Sequence, residues 1–305
     1  MSEHTERVPN FLIIGPTKCG TTSFSIYINQ HPDIFIPRIK EPHFFSYKVA
    51  RLPLGGPGSE KVEASYIKTF NDYKQLYAGR SESALGDATA DTIYYKDNII
   101  PVIKNHIGDP KIIIILRDPV ERAFSAYQHL IRDKRESLTF ENALEEEEAR
   151  IEQNYDPLFH YRNCSMYADA VKVFRSSFTN VLVLFTSDLY KKADETFRTV
   201  FEFLGVDPHF KVDSGQRHNI SGKPKNQAIN DFVSKENKLR SLLRPVIRLF
   251  TTEAMRKKVV YNIQKKNLQR LDILPETEKS LREYFRDDIK SLEKELNVDL
   301  AGWYN

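Results

Sequence analysis

A unit of strand, glycine loop and helix near the start of the chain constrains its fold most strongly. The apolar run at residues 11–14 is typical of a strand buried on both faces, and a loop at residues 15–23 follows it directly. Phe24, Tyr27 and Ile28 then recur at helical spacing. Backbone N–H groups of such a loop converge on an anion, and the positive end of the helix dipole adds to the attraction. We therefore expect a phosphate-like ligand at this loop.

The same alternation of strand and helix continues along the chain. Lys111–Leu116 and Val181–Phe185 are typical of buried strands. Helical apolar spacing follows them at 120–131 and 197–204, and a last helix is expected over about 276–296. This pattern predicts an α/β fold, with a central parallel β-sheet flanked by helices and a P-loop-like nucleotide site.

No segment separates the chain into independent parts. The Gly- and Pro-rich stretch 51–60 and the polar stretch 214–226 have the composition of loops, and neither is long enough to divide domains. We expect residues 1–305 to form one domain, in which residues 1–9 are a flexible N-terminus and residues 227–305 a helical C-terminal part.

Composition excludes several classes of protein. The 305 residues include 45 basic and 42 acidic side chains, a net charge of +3, which is too balanced for a typical nucleic-acid-binding domain. Cys19 and Cys164 are too few for a disulfide framework or a structural zinc site, so no metal is predicted. No apolar run approaches the roughly 20 residues of a membrane span, and residues 1–10 lack a signal-peptide core. A cytoplasmic protein without a transmembrane segment is expected, and its oligomeric state stays open.

The glycine loop differs from the loop of ATP-dependent enzymes. Gly15 and Gly20 have Walker A spacing, but Thr21 occupies the position of the Walker lysine and Lys18 lies inside the loop. Hydroxyl groups at the start of the helix add donors for an anion. The loop therefore favours a phosphate-like group over Mg–ATP.

The end of the strand at 111–116 supports the same interpretation. A nucleoside-triphosphate enzyme needs an acidic residue at the end of a neighbouring strand to hold Mg²⁺. Here Arg117 comes first, which favours an anion, although Asp118 beside it leaves a metal role open. A nucleotide-dependent kinase with a degenerate P-loop and a non-catalytic nucleotide-binding paralogue are the alternatives.

Three motifs in this order resemble those of sulfotransferases that use 3′-phosphoadenosine 5′-phosphosulfate (PAPS). Residues 15–23 resemble the family's 5′-phosphosulfate loop, and residues 117–127 resemble its 3′-phosphate motif. Residues 41–45 resemble the heparan sulfate branch and its bacterial relatives. The resemblance, which extends from about residue 10 to 303, implies metal-free transfer of a sulfuryl group from PAPS to an acceptor hydroxyl or amine. The product of the donor is adenosine 3′,5′-bisphosphate (PAP).

The resemblance also implies a donor site. Its expected members are Thr17, Lys18, Cys19, Gly20, Thr21, Thr22, Ser23, Arg117, Ser125, Gly222 and Lys223. Lys18 matches the lysine that neutralises the leaving phosphate, a task that suits a compact ammonium group. Arg117 and Ser125 match the pair that holds the 3′-phosphate, with a surface ion pair as the alternative for Arg117. Gly222 and Lys223 match a loop that closes over the nucleotide.

Two residues of the third motif are expected to act beside Lys18 in catalysis. Glu41 matches the general base of the heparan sulfate branch, and His43 matches a histidine that orients the acceptor or shares the proton. The proline after Glu41 favours an extended backbone there, and the two phenylalanines after His43 are expected to desolvate the carboxylate. An ion pair with the preceding lysine at the surface is the alternative for Glu41.

Residues 86–91 depart from the glycosaminoglycan enzymes, which carry lysine-threonine-proline there. Ala88 occupies the lysine position and Ala90 the proline position, so a basic contact for a uronic acid is expected to be missing. The expected acceptor is therefore a small molecule, a glycolipid or a glycan. It is expected in a cleft near Glu41 and His43, between the 51–60 loop and the C-terminal helices.

Two charged runs have simpler explanations. The acidic run 145–148 is expected to be the solvated face of a helix. The basic residues between 244 and 270 alternate with apolar ones and predict an amphipathic helical region, with a surface for a lipid or an anionic acceptor as the alternative.

Overall fold

A five-stranded parallel sheet forms the centre of the fold. The computed structural model describes residues 7–39, 41–213 and 271–305, and the backbone alone of 223–224 and 268–269. The sheet contains β1 (Phe11–Ile13), β2 (Ile34–Phe35), β3 (Ala84–Asp87), β4 (Lys111–Leu116) and β5 (Val181–Phe185), in the order β2-β3-β1-β4-β5. A separate antiparallel pair joins β6 (Lys223–Pro224) to β7 (Leu268–Gln269). The predicted α/β class with a parallel central sheet is confirmed.

Helices fill the connections between the strands. Those that the structure describes are α1 (Thr21–Ile28), α2 (Phe44–Val49), α3 (Ser59–Glu63), α4 (Phe70–Gln75), α5 (Lys96–Ile107), α6 (Pro119–Arg132), α7 (Phe140–Glu145), α8 (Glu147–Glu152), α9 (Ala168–Ser177), α10 (Asp188–Lys191), α11 (Ala193–Leu204) and α12 (Pro275–Leu296). Short 3₁₀ turns lie at Thr92–Tyr95, Pro157–Phe159, Asn163–Ser165 and Ala301–Trp303. No helix in this part of the chain is long and apolar enough to span a membrane.

Alternating side chains of the central strands fill two separate cores. In β4, Ile113 and Ile115 face one side, where they pack with Phe24 of α1 and Phe201 of α11. The intervening residues of the strand face the other side, which is covered by α2, α5, α6, α9 and α12. Because both faces are covered, β4 is apolar at nearly every position, as the sequence indicates.

The elements expected from the sequence match closely. β4 and β5 have their predicted bounds, α6 begins at Pro119, and α12 differs from its expected start by one residue. Gly205 ends α11 with a φ of 80°, which is the left-handed conformation that glycine adopts easily. Residues 1–6 and most of 227–270, including the basic run, lie outside the described residues.

The acidic run 145–148 is not simply a solvated helix face. The chain ends α7 and begins α8 within it, and Glu147 is buried. Its carboxylate accepts the backbone N–H groups of Arg162 and Asn163 and pairs with the Arg162 guanidinium. The prediction for this run is wrong at Glu147, because three donors contributed by a distant turn replace water around a buried carboxylate.

Candidate active site

A cleft of about 1510 Å³ opens at the carboxyl ends of β1, β3, β4 and β5. The chain leaves β1 toward one edge of the sheet and leaves β4 toward the other, so the two following loops diverge and leave a crevice. We call one part of the cleft the loop half, formed by Lys18, Thr21, Thr22, Ser23, Arg117 and Ser125. We call the other part the carboxylate half, formed by Glu41, His43, Tyr66, Asp91 and Asp156.

The glycine loop has the geometry of an anion site. Gly20 has a φ of 91° and begins α1 without a side-chain cap, and no acidic residue lies in the first turn of the helix. Thr21 and Ser23 are buried and line the cleft. The helix therefore directs its positive end toward the cleft.

The side chains of two loop residues, Cys19 and Thr17, contact the protein interior. The Cys19 side chain is fully buried and its thiol lies 4.0 Å from the Tyr167 hydroxyl, so only its backbone can face an anion. Burial raises the pKa of Cys19 to about 11, which keeps the thiol neutral. The Thr17 hydroxyl accepts a hydrogen bond of 2.8 Å from Arg122.

Arg122, a residue that the sequence analysis did not identify, holds the glycine loop in place from the protein interior. It is fully buried on α6 and donates to the Thr17 carbonyl at 3.1 Å. It also donates to the backbone carbonyls of His160 and Tyr161. These acceptors are neutral, so the guanidinium adds positive potential beneath the loop. The only sequence signal was its place between Arg117 and Ser125.

Arg117 and Ser125 line the loop half from the segment that follows β4. Arg117 contacts the Lys18 carbonyl at 3.4 Å and pairs with Glu121 at 3.0 Å. An ion pair at the surface was the alternative to phosphate binding for Arg117. Arg117 does form an ion pair, with Glu121, but both residues line the cleft. Ser125 is buried in α6 and also lines the cleft.

His129 is a second residue that the sequence interpretation missed. It lies one turn beyond Ser125 on α6, and its Nδ1 is 3.1 Å from Nζ of Lys18 and 2.8 Å from a guanidinium nitrogen of Arg132. Its Nε2 lies 3.2 Å from the Asp133 carboxylate. A histidine one turn from Ser125 on the same helix face was the available signal. This contact links Lys18 to the helix that carries Ser125.

Glu41 and His43 meet in the carboxylate half. His43 Nε2 is 3.7 Å from a carboxylate oxygen of Glu41, and His43 Nδ1 is 2.9 Å from Asp91. The imidazole stacks on the Tyr66 ring with a centroid separation of 4.6 Å. Burial acts to lower the pKa of His43, but the carboxylates of Asp91, Glu41 and Asp87 more than offset it and raise the pKa to about 9. The imidazole is therefore a cation at neutral pH.

The backbone around Glu41 differs from the expectation. Glu41 has a φ of 53°, so the extended conformation predicted from the following proline is wrong. The two phenylalanines after His43 pack in the core with Tyr73 and His106, and His43 lies beside the carboxylate. Tertiary packing outweighs the local preference here.

Positive φ angles concentrate at the cleft. Six non-glycine residues among those described have one, and Lys18, Glu41 and His43 are three of them. Such conformations cost on the order of 1–3 kcal/mol each and persist where the surroundings enforce them. All three predicted catalytic residues therefore occupy strained backbone at one cleft, which favours a functional role.

The 86–91 stretch contributes differently from the family pattern. Asp91 takes part in the histidine contact, and the Ala90 carbonyl packs so closely on Gly15 that a Cβ there would lie 1.9 Å from its oxygen. Asp87 is buried and accepts the Tyr73 and Thr89 hydroxyls. The stretch thus joins the glycine loop to the carboxylate half.

Other expected features are only partly reproduced. The 51–60 loop itself does not line the cleft; residues that follow it do, namely Val62, Ser65 and Tyr66. The C-terminal wall is formed as expected, by Glu278, Arg282 and Trp303. Gly222 lies outside the described residues, and only the backbone of Lys223 is described, in β6.

Asp118, which left a metal role open, is engaged elsewhere. Its carboxylate caps α6 by accepting the N–H groups of Val120 and Glu121, and it pairs with Arg282 at 3.3 Å. Within residues 7–39, 41–213 and 271–305, no group of three potential metal-ligating side chains is present.

The order of the strands, the glycine loop and the cleft together define an α/β protein whose cleft places a loop with the geometry of an anion site near a glutamate–histidine pair. Comparison of the sequence with models of known protein families identifies one family. The model of the sulfotransferase domain matches residues 8–272, so the chain belongs to the sulfotransferase-domain family. The predicted family is confirmed.

Individual relatives agree with this assignment. A crystal structure of a sulfotransferase from Alicyclobacillus acidocaldarius is 31% identical with a TM-score of 0.77, covering 98% of this chain and 100% of that one. The membrane-associated sulfotransferase kil1 of Dictyostelium discoideum is 34% identical over 151 residues, 48% of this chain and 29% of its own length. Mouse heparan sulfate glucosamine 3-O-sulfotransferase 3A1 is 25% identical over 276 residues, 82% of this chain and 64% of its own length. The chain thus matches less than two thirds of either curated relative.

A more distant structure shares the fold. Mouse sulfotransferase SULT7A1, solved in complex with PAP, is 16% identical with a TM-score of 0.50, covering 95% of this chain and 89% of that one.

Proposed function

We propose that the protein transfers the sulfuryl group of PAPS to a hydroxyl or amine of a small-molecule, glycolipid or glycan acceptor. The observation that carries the proposal is the shared cleft, which brings Lys18 and the anion loop together with Glu41 and His43. PAPS supplies the sulfuryl group. The residues of this chain bind it, orient the acceptor and move one proton.

The loop half fits the donor. The uncapped start of α1 and the hydroxyls of Thr21 and Ser23 offer neutral donors to a 5′-phosphosulfate. Arg117 and Ser125 offer a guanidinium and a hydroxyl to a 3′-phosphate. Lys18 supplies a mobile positive charge for the leaving phosphate. The PAP complex of the mouse relative supports a donor of this kind.

The carboxylate half fits activation of the acceptor. Glu41 is the proposed general base, and such groups typically contribute about 10²–10⁴-fold to a rate. His43 is already protonated at neutral pH, because the pKa of its imidazole is raised to about 9. It therefore holds a proton instead of removing one from the acceptor.

The class of acceptor rests on the relatives. A heparan sulfate 3-O-sulfotransferase and a carbohydrate sulfotransferase are among them, and both names denote enzymes that act on glycans. Tyr66 and the carboxylates beside it offer a ring face and hydrogen-bond acceptors, which suit a compound with several hydroxyls. A glycan or glycolipid hydroxyl is therefore the favoured acceptor.

A thermal-shift experiment tests the donor class. PAP at 100 times its dissociation constant is expected to stabilise the fold by about 2.7 kcal/mol, which raises Tm by several degrees. Arg117→Ala serves as the matched variant and is expected to show a smaller shift. Stabilisation by Mg–ATP and not by PAP would contradict the proposal and favour the kinase. PAP binding without turnover of PAPS on any acceptor would favour the non-catalytic paralogue.

A further inference from the structure

Asp91 lies in the stretch that departs from the family pattern, and it contacts His43 directly. Its Oδ2 is 2.9 Å from His43 Nδ1, and its Oδ1 accepts the Ser46 hydroxyl at 2.6 Å. Asp91, Ser46 and His43 are all buried. Two donors therefore fix the orientation of the carboxylate, and the carboxylate in turn fixes the imidazole ring.

The geometry determines the protons on His43. An ionised carboxylate only accepts hydrogen bonds, so the Nδ1 that faces Asp91 carries a hydrogen. The opposite nitrogen, Nε2, lies 3.7 Å from the Glu41 carboxylate, an ion-pair separation at which the negative charge favours a hydrogen on Nε2 as well. An imidazole between two carboxylates is most stable with both hydrogens present.

Among the described residues, the charged groups that shift the pKa of His43 are carboxylates, and each of them favours the doubly protonated ring. Asp91 and Asp87 approach from the end of β3, and Glu41 approaches from the residues before α2. Tyr66 stacks on the ring, and burial raises its own pKa far above neutrality, so it stays uncharged. The high pKa of His43 agrees with the contacts.

We propose that Asp91 is a positioning residue, which holds His43 as a doubly protonated donor to Glu41 so that Glu41 alone takes the proton of the acceptor. This inference rests on the proposed function, because the acceptor proton belongs to that reaction. In the step, the acceptor oxygen forms the new S–O bond and its proton passes to the Glu41 carboxylate. The electron pair of the broken S–O bond leaves with the 5′-phosphate.

The arrangement explains how Glu41 is kept in place. Its backbone has a positive φ, and the imidazolium of His43 attracts its carboxylate across an ion pair of 3.7 Å. Asp91 acts on Glu41 indirectly, because it contacts His43 and Ser46 and His43 contacts Glu41. Residues 86–91 thereby supply the carboxylate of Asp91, while Ala88 occupies the position of the lysine of the glycosaminoglycan branch.

Asp91→Asn tests the proposal, with the pKa of His43 as the main measurement. NMR of protein with ¹³C-labelled histidine gives this value in the absence of donor, and His43→Gln assigns the resonance. Removing the facing charge is expected to lower the pKa of His43 from about 9 by about 1–3 pH units. Ser46→Ala, which keeps the charge, is expected to lower it less. Glu60→Gln, which removes an exposed carboxylate on α3, is the control and is expected to leave it unchanged.

The pH profile of kcat/KM supplies the functional measurement. Because the imidazolium is required, activity is expected to fall as pH rises through the pKa of His43, near pH 9 in the unchanged protein. In Asp91→Asn this alkaline limb moves to lower pH together with the NMR value. A lower rate with an unmoved limb, or an unmoved His43 pKa in both variants, would overturn the proposal. Absence of sulfuryl transfer in the unchanged protein would instead contradict the proposed function, and the NMR result would still stand.

Discussion

The loop half and the carboxylate half of the cleft are built in different ways. The loop half depends on one continuous segment whose backbone forms the site, together with the start of α6. In the carboxylate half, side chains that are far apart in the sequence, Glu41, Tyr66, Asp91 and Asp156, meet through the fold. The comparison teaches that one segment supplies most of the groups of the anion site, although distant residues such as Arg122 hold it in place, whereas the groups around the proposed base, apart from His43, come from different parts of the chain.

Glu41→Gln is expected to have the largest effect and to act on one half of the cleft only. The substitution removes the proposed base while keeping the size and the polarity of the side chain, so turnover is expected to fall about 10²–10⁴-fold. PAP affinity, measured by calorimetry, is expected to stay nearly intact, because Glu41 belongs to the carboxylate half. An equal loss of PAP affinity would show that Glu41 supports the structure of the whole cleft. Glu60→Gln, an exposed change on α3, is the control for both measurements.

Lys18→Ala probes the loop half with a slightly smaller effect. Loss of its charge is expected to lower kcat about 10²–10³-fold, by analogy with the loss of an oxyanion-hole donor. His129→Ala in the same background is expected to add little, because His129 contacts the Lys18 ammonium, whereas its contacts with Arg132 and Asp133 stay at the end of α6. Rates of the two single variants and the double variant form the test. Fully additive losses would contradict a role for His129 through Lys18.

Gly15→Ala would disturb the place where the two halves touch. A Cβ would lie 1.9 Å from the Ala90 carbonyl oxygen, and the φ of 108° disfavours any side chain. Together these effects are expected to lower the free energy of unfolding by about 2–5 kcal/mol. Gly79→Ala is the control: its φ is 72° but nothing lies within 4 Å, so about 1–2 kcal/mol is expected. Urea unfolding that gives equal losses for the two would show that the close approach is unimportant.

Arg117→Ala is expected to have the smallest effect. A hydrogen bond to a charged group contributes about 1.5–3 kcal/mol, so PAP affinity is expected to fall about 10–100-fold. Turnover at saturating PAPS is expected to change little. Adenosine 5′-monophosphate, which lacks the 3′-phosphate, is the control ligand in calorimetry. An equal loss of affinity for both nucleotides would place the 3′-phosphate elsewhere.

The sequence predicted the loop half of the cleft better than the carboxylate half, for physical reasons. Residues 15–23 and 117–127 are contiguous, and strand, loop and helix follow from local patterns, so their position at the sheet edge could be derived. Glu41 and His43 were identified by resemblance, but their conformation was not predicted, because packing around them outweighs the local preference. Asp91 was included only as the last residue of the 86–91 stretch, in which Ala88 and Ala90 depart from the family motif.

The buried residues that support the site were hardest to predict. Arg122 and Glu147 are charged residues that sequence patterns assign to the surface, and burial becomes favourable only through acceptors and donors from distant turns. His129 carried no signal besides its spacing from Ser125. Such contacts depend on the assembled fold and leave little trace in composition or periodicity.

A crystal structure with PAP bound tests the division of the cleft most directly. The account predicts the 5′-phosphate at the start of α1 within reach of Lys18, and the 3′-phosphate between Arg117 and Ser125. Glu41 and His43 would then face open space beyond the 5′-phosphate, where an acceptor binds. A phosphate of PAP on His43, or adenosine filling the space beside Glu41 and Tyr66, would contradict the account.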